Sequence, residues 1–361
     1  MRLRYVANCT GSDGYGEAAR HQIVALGQHG FEFDLPPMDG GQLEGRLLEA
    51  AKSVPRTAQP GATIWHRNPL TAAAGRGSEP RPHVLVTVWE ASRLSSPWVG
   101  ACNQFDQVWC PTRWQLEVFA ASGVDRARLR YVPFALCPEL ATPQAEPWLP
   151  EAARPGDFVF LSVFQWSERK GGRDLIHAFS QAFDADDRVT LVIKTNKMPN
   201  VDMGREIAQA LKDTERPGRP PIVVVDRLIT APRLEGLYQA ADAYVTLTRG
   251  EGWGFPMHAA MLARRPVIAT NWSAHAEWAA GGFLGVPYEL MPVEGMPERM
   301  PYRDNQQWAV PDVGGAVDLM RLVAAMGPQE QEMLGARAYA AATRIRPADA
   351  AEAARRALSE G

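Results

Sequence analysis

Residues 249–270, Arg-Gly-Glu-Gly-Trp-Gly-Phe-Pro-Met-His-Ala-Ala-Met-Leu-Ala-Arg-Arg-Pro-Val-Ile-Ala-Thr, constrain this chain more than any other stretch. An apolar strand, Ala243 to Leu247, runs into a turn that carries Glu251 between glycines. Pro256 opens a helical run rich in Ala, Met and Leu, which stops at Arg264-Arg265-Pro266 before a second strand, Val267 to Thr270. Strand, glycine turn, helix and strand make one βαβ unit, and ligands of open parallel sheets bind at the carboxyl edge of the strands. Gly250, Gly252 and Gly254 let backbone N–H groups approach a ligand closely, and the helix that follows turns its positive end toward the same place. An acidic side chain there does not suit phosphate, so Glu251 is expected to face hydroxyl groups. A plain βα turn with a solvated Glu is the bland alternative.

The passage resembles the donor-site signature of GT-B glycosyltransferases of the family 4 type, Glu-Gly-Phe-Gly-Leu-Pro with a second Glu eight positions after the first. Glu251 matches the first Glu, Trp253 replaces the aromatic residue, and Phe255-Pro256 follow. The second Glu falls on Ala259, so nucleoside contacts must be arranged differently, with His258 as a candidate hydrogen-bonding substitute and Glu277 matching the later acidic position. The resemblance implies an α/β chain of GT-B fold, with two doubly wound Rossmann-like domains facing across a cleft. It also implies transfer of a sugar from a nucleotide-diphosphate donor to an acceptor hydroxyl, with retention, no divalent metal and no cofactor, and with domain closure to exclude water.

Length and composition agree with two domains. The 361 residues suffice for two cores, and 46% hydrophobic with 22% charged residues is ordinary for a soluble chain. A net charge of −3 argues against a dedicated nucleic-acid or anionic-membrane binder. Cys9, Cys102, Cys110 and Cys137 lack Cys-x-x-Cys spacing, which suggests neither zinc nor a disulfide framework but a reducing compartment. The chain enters a strand at Leu3 and has no apolar run of membrane length, so a cytoplasmic protein without an integral membrane segment is expected.

Proline-rich residues 138–156 read as a linker, which sets an acceptor-side domain at 1–145 and a donor-binding domain at 146–345. Strands expected before the linker are Leu3–Ala7, Phe31–Leu35, Thr63–His66, Val84–Trp89, Gln107–Cys110 and Leu129–Pro133, with a helix from about Gly16 to His29. Those after it are Phe158–Val163, Val189–Lys194, Ile222–Val225, Ala243–Leu247 and Val267–Ala269. The helix at about 346–361 is expected, by resemblance, to return to the first domain.

Three further constellations bear on chemistry. Gly11-Ser12-Asp13-Gly14-Tyr15-Gly16 follows the first strand, does not match Gly-x-Gly-x-x-Gly, and by resemblance places Gly14 and Gly16 against the donor diphosphate or the acceptor. Gln165-Trp166-Ser167-Glu168-Arg169-Lys170-Gly171-Gly172 puts adjacent cations before a helix, a ready diphosphate clamp. In the family a lysine before Gly holds the leaving diphosphate, with an arginine five positions earlier; Lys170 matches the lysine, Gln165 occupies the arginine position, and Arg169 is the substitute cation. Trp89-Glu90, with Trp65 and His66, are acceptor-side candidates: the tryptophans to stack on a ring, Glu90 to orient a hydroxyl. Core tryptophans and an ion-paired Glu90 are the alternative. Asp184-Ala185-Asp186 looks like a metal-binding pair but sits in a polar loop and reads as surface.

Rival readings are a nucleotide-sugar epimerase of the same fold and a non-catalytic nucleotide-sugar binding protein, the latter motivated by Ala259 and Gln165. The acceptor is open among glycan, small molecule, protein and modified DNA. Arginines from Arg67 to Arg130 motivate the last, although Glu79, Glu90, Asp106, Glu117 and Asp125 dilute them.

Overall fold

Alternation of short apolar strands with helices buries the central strands on both faces, which selects parallel sheets covered by helices. In the computed structural model, which describes residues 1–11, 13–38, 45–196, 202–214, 220–297, 300–302 and 305–360, two such sheets form, each in its own compact unit. The first unit is Met1–Ala141 with Pro301–Gln306 and Thr343–Gly361; the second is Thr142–Met300 with Gln307–Ala342.

The first sheet contains β1 (Arg2–Ala7), β2 (Glu32–Asp34), β3 (Ala62–His66), β4 (His83–Val86), β5 (Gln107–Cys110) and β6 (Leu129–Tyr131), all parallel in the order β2-β1-β3-β4-β5-β6. Strand order reverses between β1 and β3, so the loops leaving those two strands flank its switch point. The second sheet contains β7 (Phe158–Val163), β8 (Val189–Lys194), β9 (Ile222–Val225), β10 (Ala243–Thr246), β11 (Val267–Thr270) and β12 (Leu284–Val286), in the order β12-β11-β10-β7-β8-β9. Here the switch lies between β7 and β10, the strands that lead into Lys170 and Glu251. A hairpin, β13 (Tyr288–Pro292) with β14 (Gln307–Pro311), follows.

Boundaries differ from the sequence reading where side chains recruit the backbone elsewhere. β4 ends at Val86, because Thr87 turns out of the ladder to meet Tyr15, their hydroxyl oxygens 2.8 Å apart. β12, β13 and β14 have no sequence counterpart: β12 is three residues long, and every residue of β13 is exposed, so neither carries an alternating apolar pattern.

The terminal helix Pro347–Ser359 buries Ala350, Ala351, Ala354 and Ala357 within the first unit. Gln107 Nε2 donates to the Ala357 carbonyl at 2.6 Å, and the Arg355 guanidinium lies 5.1 Å from the Phe31 ring and donates to the His29 carbonyl. All four cysteines are buried and free. Among the described residues no helix is long and apolar enough to cross a membrane. Ala354→Glu forces a carboxylate into this helix contact; chemical denaturation should show the first unit losing roughly 2–4 kcal/mol, while the transition of the second unit keeps its midpoint.

Candidate active site

The turn after β7 is fixed by close packing. Trp166 is buried, donates from Nε1 to Glu206 Oε2 at 2.9 Å, and leaves no room at Gly172, where a Cβ would lie 2.7 Å from the indole ring. Gly171 has φ +64° and lies so close to the end of β10 that a Cβ would fall 2.0 Å from the Leu247 carbonyl oxygen. Only glycine fits both constraints. This contact presses the Glu168–Lys170 turn against the loop that carries Glu251. Arg249 N–H donates to the Arg169 carbonyl at 2.7 Å, and Arg169 donates back to the Gly250 carbonyl at 2.6 Å.

Glu251 closes the arrangement. Its carboxylate lies 2.5 Å from Lys170 Nζ and 3.5 Å from the Arg169 guanidinium, and all three side chains are largely buried. Burial alone raises a carboxyl pKa, but the charges of Lys170 and Arg169, the Lys170 hydrogen bond and the nearby His275 outweigh it and hold Glu251 at about 2. Arg249 is paired in turn, 2.7 Å from Glu168 and 2.9 Å from Asp174, with its guanidinium 5.4 Å from the centre of the Trp308 ring.

The loop of Glu251 is held from β11. Glu251 N–H donates to Ser273 Oγ at 2.9 Å, and Ser273 itself has φ +73°, a backbone strain that positions its hydroxyl. His275, fully buried, lies 2.7 Å through Nε2 from the Thr270 carbonyl. Two helices begin at this edge, Gly172–Ala182 and Phe255–Leu262, and neither first turn is capped by a side chain. The positive ends of these two helices favour an anion. Sequence reasoning missed Ser273, His275 and Arg249; the βα-turn positions of Ser273 and His275 were the available signal.

Several sequence candidates require correction. Trp253 and His258 do not line an open site. Trp253 Nε1 donates to His258 Nδ1 at 3.0 Å, His258 Nε2 lies 2.9 Å from the Ala342 carbonyl, and Trp278 stacks against both rings. With both ring nitrogens engaged and its pKa lowered by burial to about 4, His258 cannot substitute for the glutamate absent at Ala259. Phe255 is buried as well, Gly252 is buried, and Gly254 adopts φ +94° as the helix N-cap. Glu277 is half-buried on the short helix Ala274–Trp278.

In the first unit, Asp13 caps the helix Gly14–Gly27 by accepting from Gly16 N–H at 2.8 Å, and buried Arg20 grips the loop through the carbonyls of Cys9 and Gly11. Gly16 is required, since a Cβ would sit 2.4 Å from the Gly11 carbonyl; a Cβ at Gly14 meets nothing, and Ser12 lies outside the described residues. His66 is buried, its Nδ1 2.7 Å from the Tyr5 hydroxyl and its ring stacked on Phe134. Trp89 and Trp65 are core residues rather than stacking platforms: Trp89 packs on Trp98 and Tyr302 and donates from Nε1 to the Arg93 carbonyl. Glu90 accepts a 3.4 Å hydrogen bond from the Tyr302 hydroxyl. Arginines expected along a nucleic-acid track are engaged locally, Arg126 with Glu117, Arg81 with Asp106 and Arg76 over Phe105. Asp184 and Asp186 are exposed in a turn.

Residues 155–294, which carry both site turns, match the family model of group 1 glycosyl transferases. Solved structures extend the fold over the whole chain. Anabaena Alr3699/HepE in complex with UDP and glucose superposes with a TM-score of 0.68 at 14% identity, covering 100% of both chains. The UDP-forming α,α-trehalose-phosphate synthase from Burkholderia vietnamiensis gives 0.60 at 13% identity over 83% of this chain and 71% of that one. Staphylococcus aureus TarM gives 0.56 at 12% identity over 82% and 55%. No curated protein matches the sequence. The chain thus has the GT-B fold, with Lys170 and Glu251 on either side of the switch point of its second sheet.

Three outcomes follow for this site. Gly171→Ala adds a methyl group where a carbonyl oxygen stands and strains φ, so urea denaturation should show a loss above about 2 kcal/mol. Glu251→Gln leaves the largely buried Lys170 without its carboxylate and should lower stability at pH 7 by roughly 2–3 kcal/mol. The same variant should keep the wild-type loss of stability between pH 6.5 and 4. That loss comes from buried histidines whose folded pKa values lie below the ordinary 6.5, His258 at about 4, His66 at about 3 and His275 also lowered by burial, so the unfolded chain takes up more protons there. Glu251, held near 2, loses its contribution only at lower pH. A slope abolished by Glu251→Gln would contradict this assignment.

Proposed function

We propose that the chain transfers a glycosyl group from a nucleoside-diphosphate sugar to an acceptor hydroxyl, with retention and without a divalent metal. One observation carries the reading: an acid and two cations meet at the switch point of the second sheet, beside two uncapped helix N-termini. Of the similar structures, HepE binds UDP and glucose, and the Burkholderia synthase is UDP-forming, which supports a nucleotide donor.

In this mechanism the ground-state ion pair is exchanged on binding. The donor diphosphate competes with Glu251 for Lys170 and Arg169, and the carboxylate released from them accepts hydrogen bonds from the sugar hydroxyls. As the glycosidic bond breaks, negative charge grows on the leaving diphosphate, and Lys170, Arg169 and the helix N-termini stabilise it. Fixed protein cations thereby perform the charge neutralisation that a metal supplies in other transferases. The acceptor attacks from the face that the diphosphate leaves.

The test is nucleoside-diphosphate release from UDP-, GDP-, ADP- and TDP-sugars in EDTA, with wild type and Glu251→Gln. Release from one donor that falls by about a hundredfold or more in the variant, the scale of a lost transition-state contact, is the expected result. Donor binding without turnover in wild type would replace the transferase with a binding protein.

A further inference from the structure

The donor site as folded has no net charge. Its four cations, Arg169, Lys170, Arg173 and Arg249, stand against four acids, Glu168, Asp174, Glu206 and Glu251, each cation within 4 Å of an acid: Arg173 faces Glu206 at 3.9 Å, and the other pairs are closer. A nucleoside diphosphate brings at least two negative charges to this edge. Exchange of Glu251 for phosphate relocates charge but supplies none, so net attraction beyond the helix N-termini calls for a cation outside the balanced set.

Lys194 meets that requirement. It is the last residue of β8, buried although charged, and among the described residues its Nζ makes one hydrogen bond, 2.7 Å to the carbonyl of Thr195. Thr195 lies one residue past the strand, so the ammonium group curls to the carboxyl edge of the sheet rather than into its middle. Register places it at the site: Val163 of β7 pairs with Lys194, and Phe164 N–H donates to the Lys194 carbonyl at 3.0 Å. The next residue, Gln165, begins the turn that carries Arg169 and Lys170 and is itself uncharged. Burial pushes the Lys194 pKa down, and Asp226, exposed at the end of β9, opposes that shift without forming an ion pair. An ammonium has three N–H donors, so a buried one with a single carbonyl partner is poorly satisfied until an anion arrives.

We propose that Lys194 is a third diphosphate-binding cation, supplying from β8 the net positive charge that the Arg169–Lys170–Glu251 cluster lacks. This inference rests on the nucleotide-donor reading. It makes Lys194 a catalytic residue, since a charge on the diphosphate is also a charge on the leaving group.

The experiment is calorimetric titration of the full chain with UDP, GDP, ADP and TDP in EDTA, for wild type and Lys194→Met, alongside the melting temperature of each protein without nucleotide. The nucleotide that wild type binds should bind Lys194→Met roughly ten- to a hundredfold more weakly, the range of one lost charged hydrogen bond. The unliganded variant should melt at the wild-type temperature or above it, because an uncompensated buried charge has been removed. Unchanged affinity would overturn the inference. So would weaker binding accompanied by a lower melting temperature, which would make Lys194 a structural residue. If wild type binds none of the four nucleotides, the donor reading itself fails, and this inference with it. Lys194→Gln, similar in polarity, replaces the Met variant if the latter does not fold.

Discussion

The contact between Glu251 and the Arg169–Lys170 pair organises this protein's second unit. It joins loops from two strands that are adjacent in the sheet but distant in sequence, and it does so where strand order reverses. The contact exists because Gly171 permits the β7 turn to lie directly on the end of β10, with backbone hydrogen bonds between Arg169, Arg249 and Gly250 locking the approach. Ser273 holds the acid from the other side at the cost of an unfavourable φ. Strain, glycine packing and a largely buried ion pair thus converge on one carboxylate, as expected where geometry serves binding rather than stability alone.

Aromatic packing supports the same turn. Trp253, His258 and Trp278 form a sealed stack beneath the Glu251 loop, and the indole N–H of Trp278 donates to the Trp253 carbonyl at 2.8 Å. Residues that a motif places beside a ligand can therefore serve as its floor. The stack fixes where the helix Phe255–Leu262 begins, and so where its N-terminus points.

Much of this was legible in the sequence because parallel strands are local apolar runs. Phe158–Val163, Val189–Lys194 and Ile222–Val225 read from composition with the boundaries that the structure has. The two turns of the candidate site were legible for the same reason, since glycines and charges mark βα junctions. Side-chain direction was not legible. Whether Trp89 faces a ligand or Trp98 depends on the path of residues after Val86, and that path answers to Tyr15 and Tyr302, from distant parts of the chain. Charge balance was equally hidden: Arg169 and Lys170 look like a bare cationic clamp until Glu251 is brought across from β10 by sheet order.

The division of the chain carries a consequence for its architecture as a gene product. The polypeptide passes between units at 141/142, 300/301, 306/307 and 342/343, because Pro301–Gln306 and the terminal helix both belong with the first unit. A chimera that replaces the second unit with that of a similar structure must therefore match four junctions. Tyr302, which packs on Trp89 and donates to Glu90, lies on Pro301–Gln306 and so stays with the host between the second and third junctions.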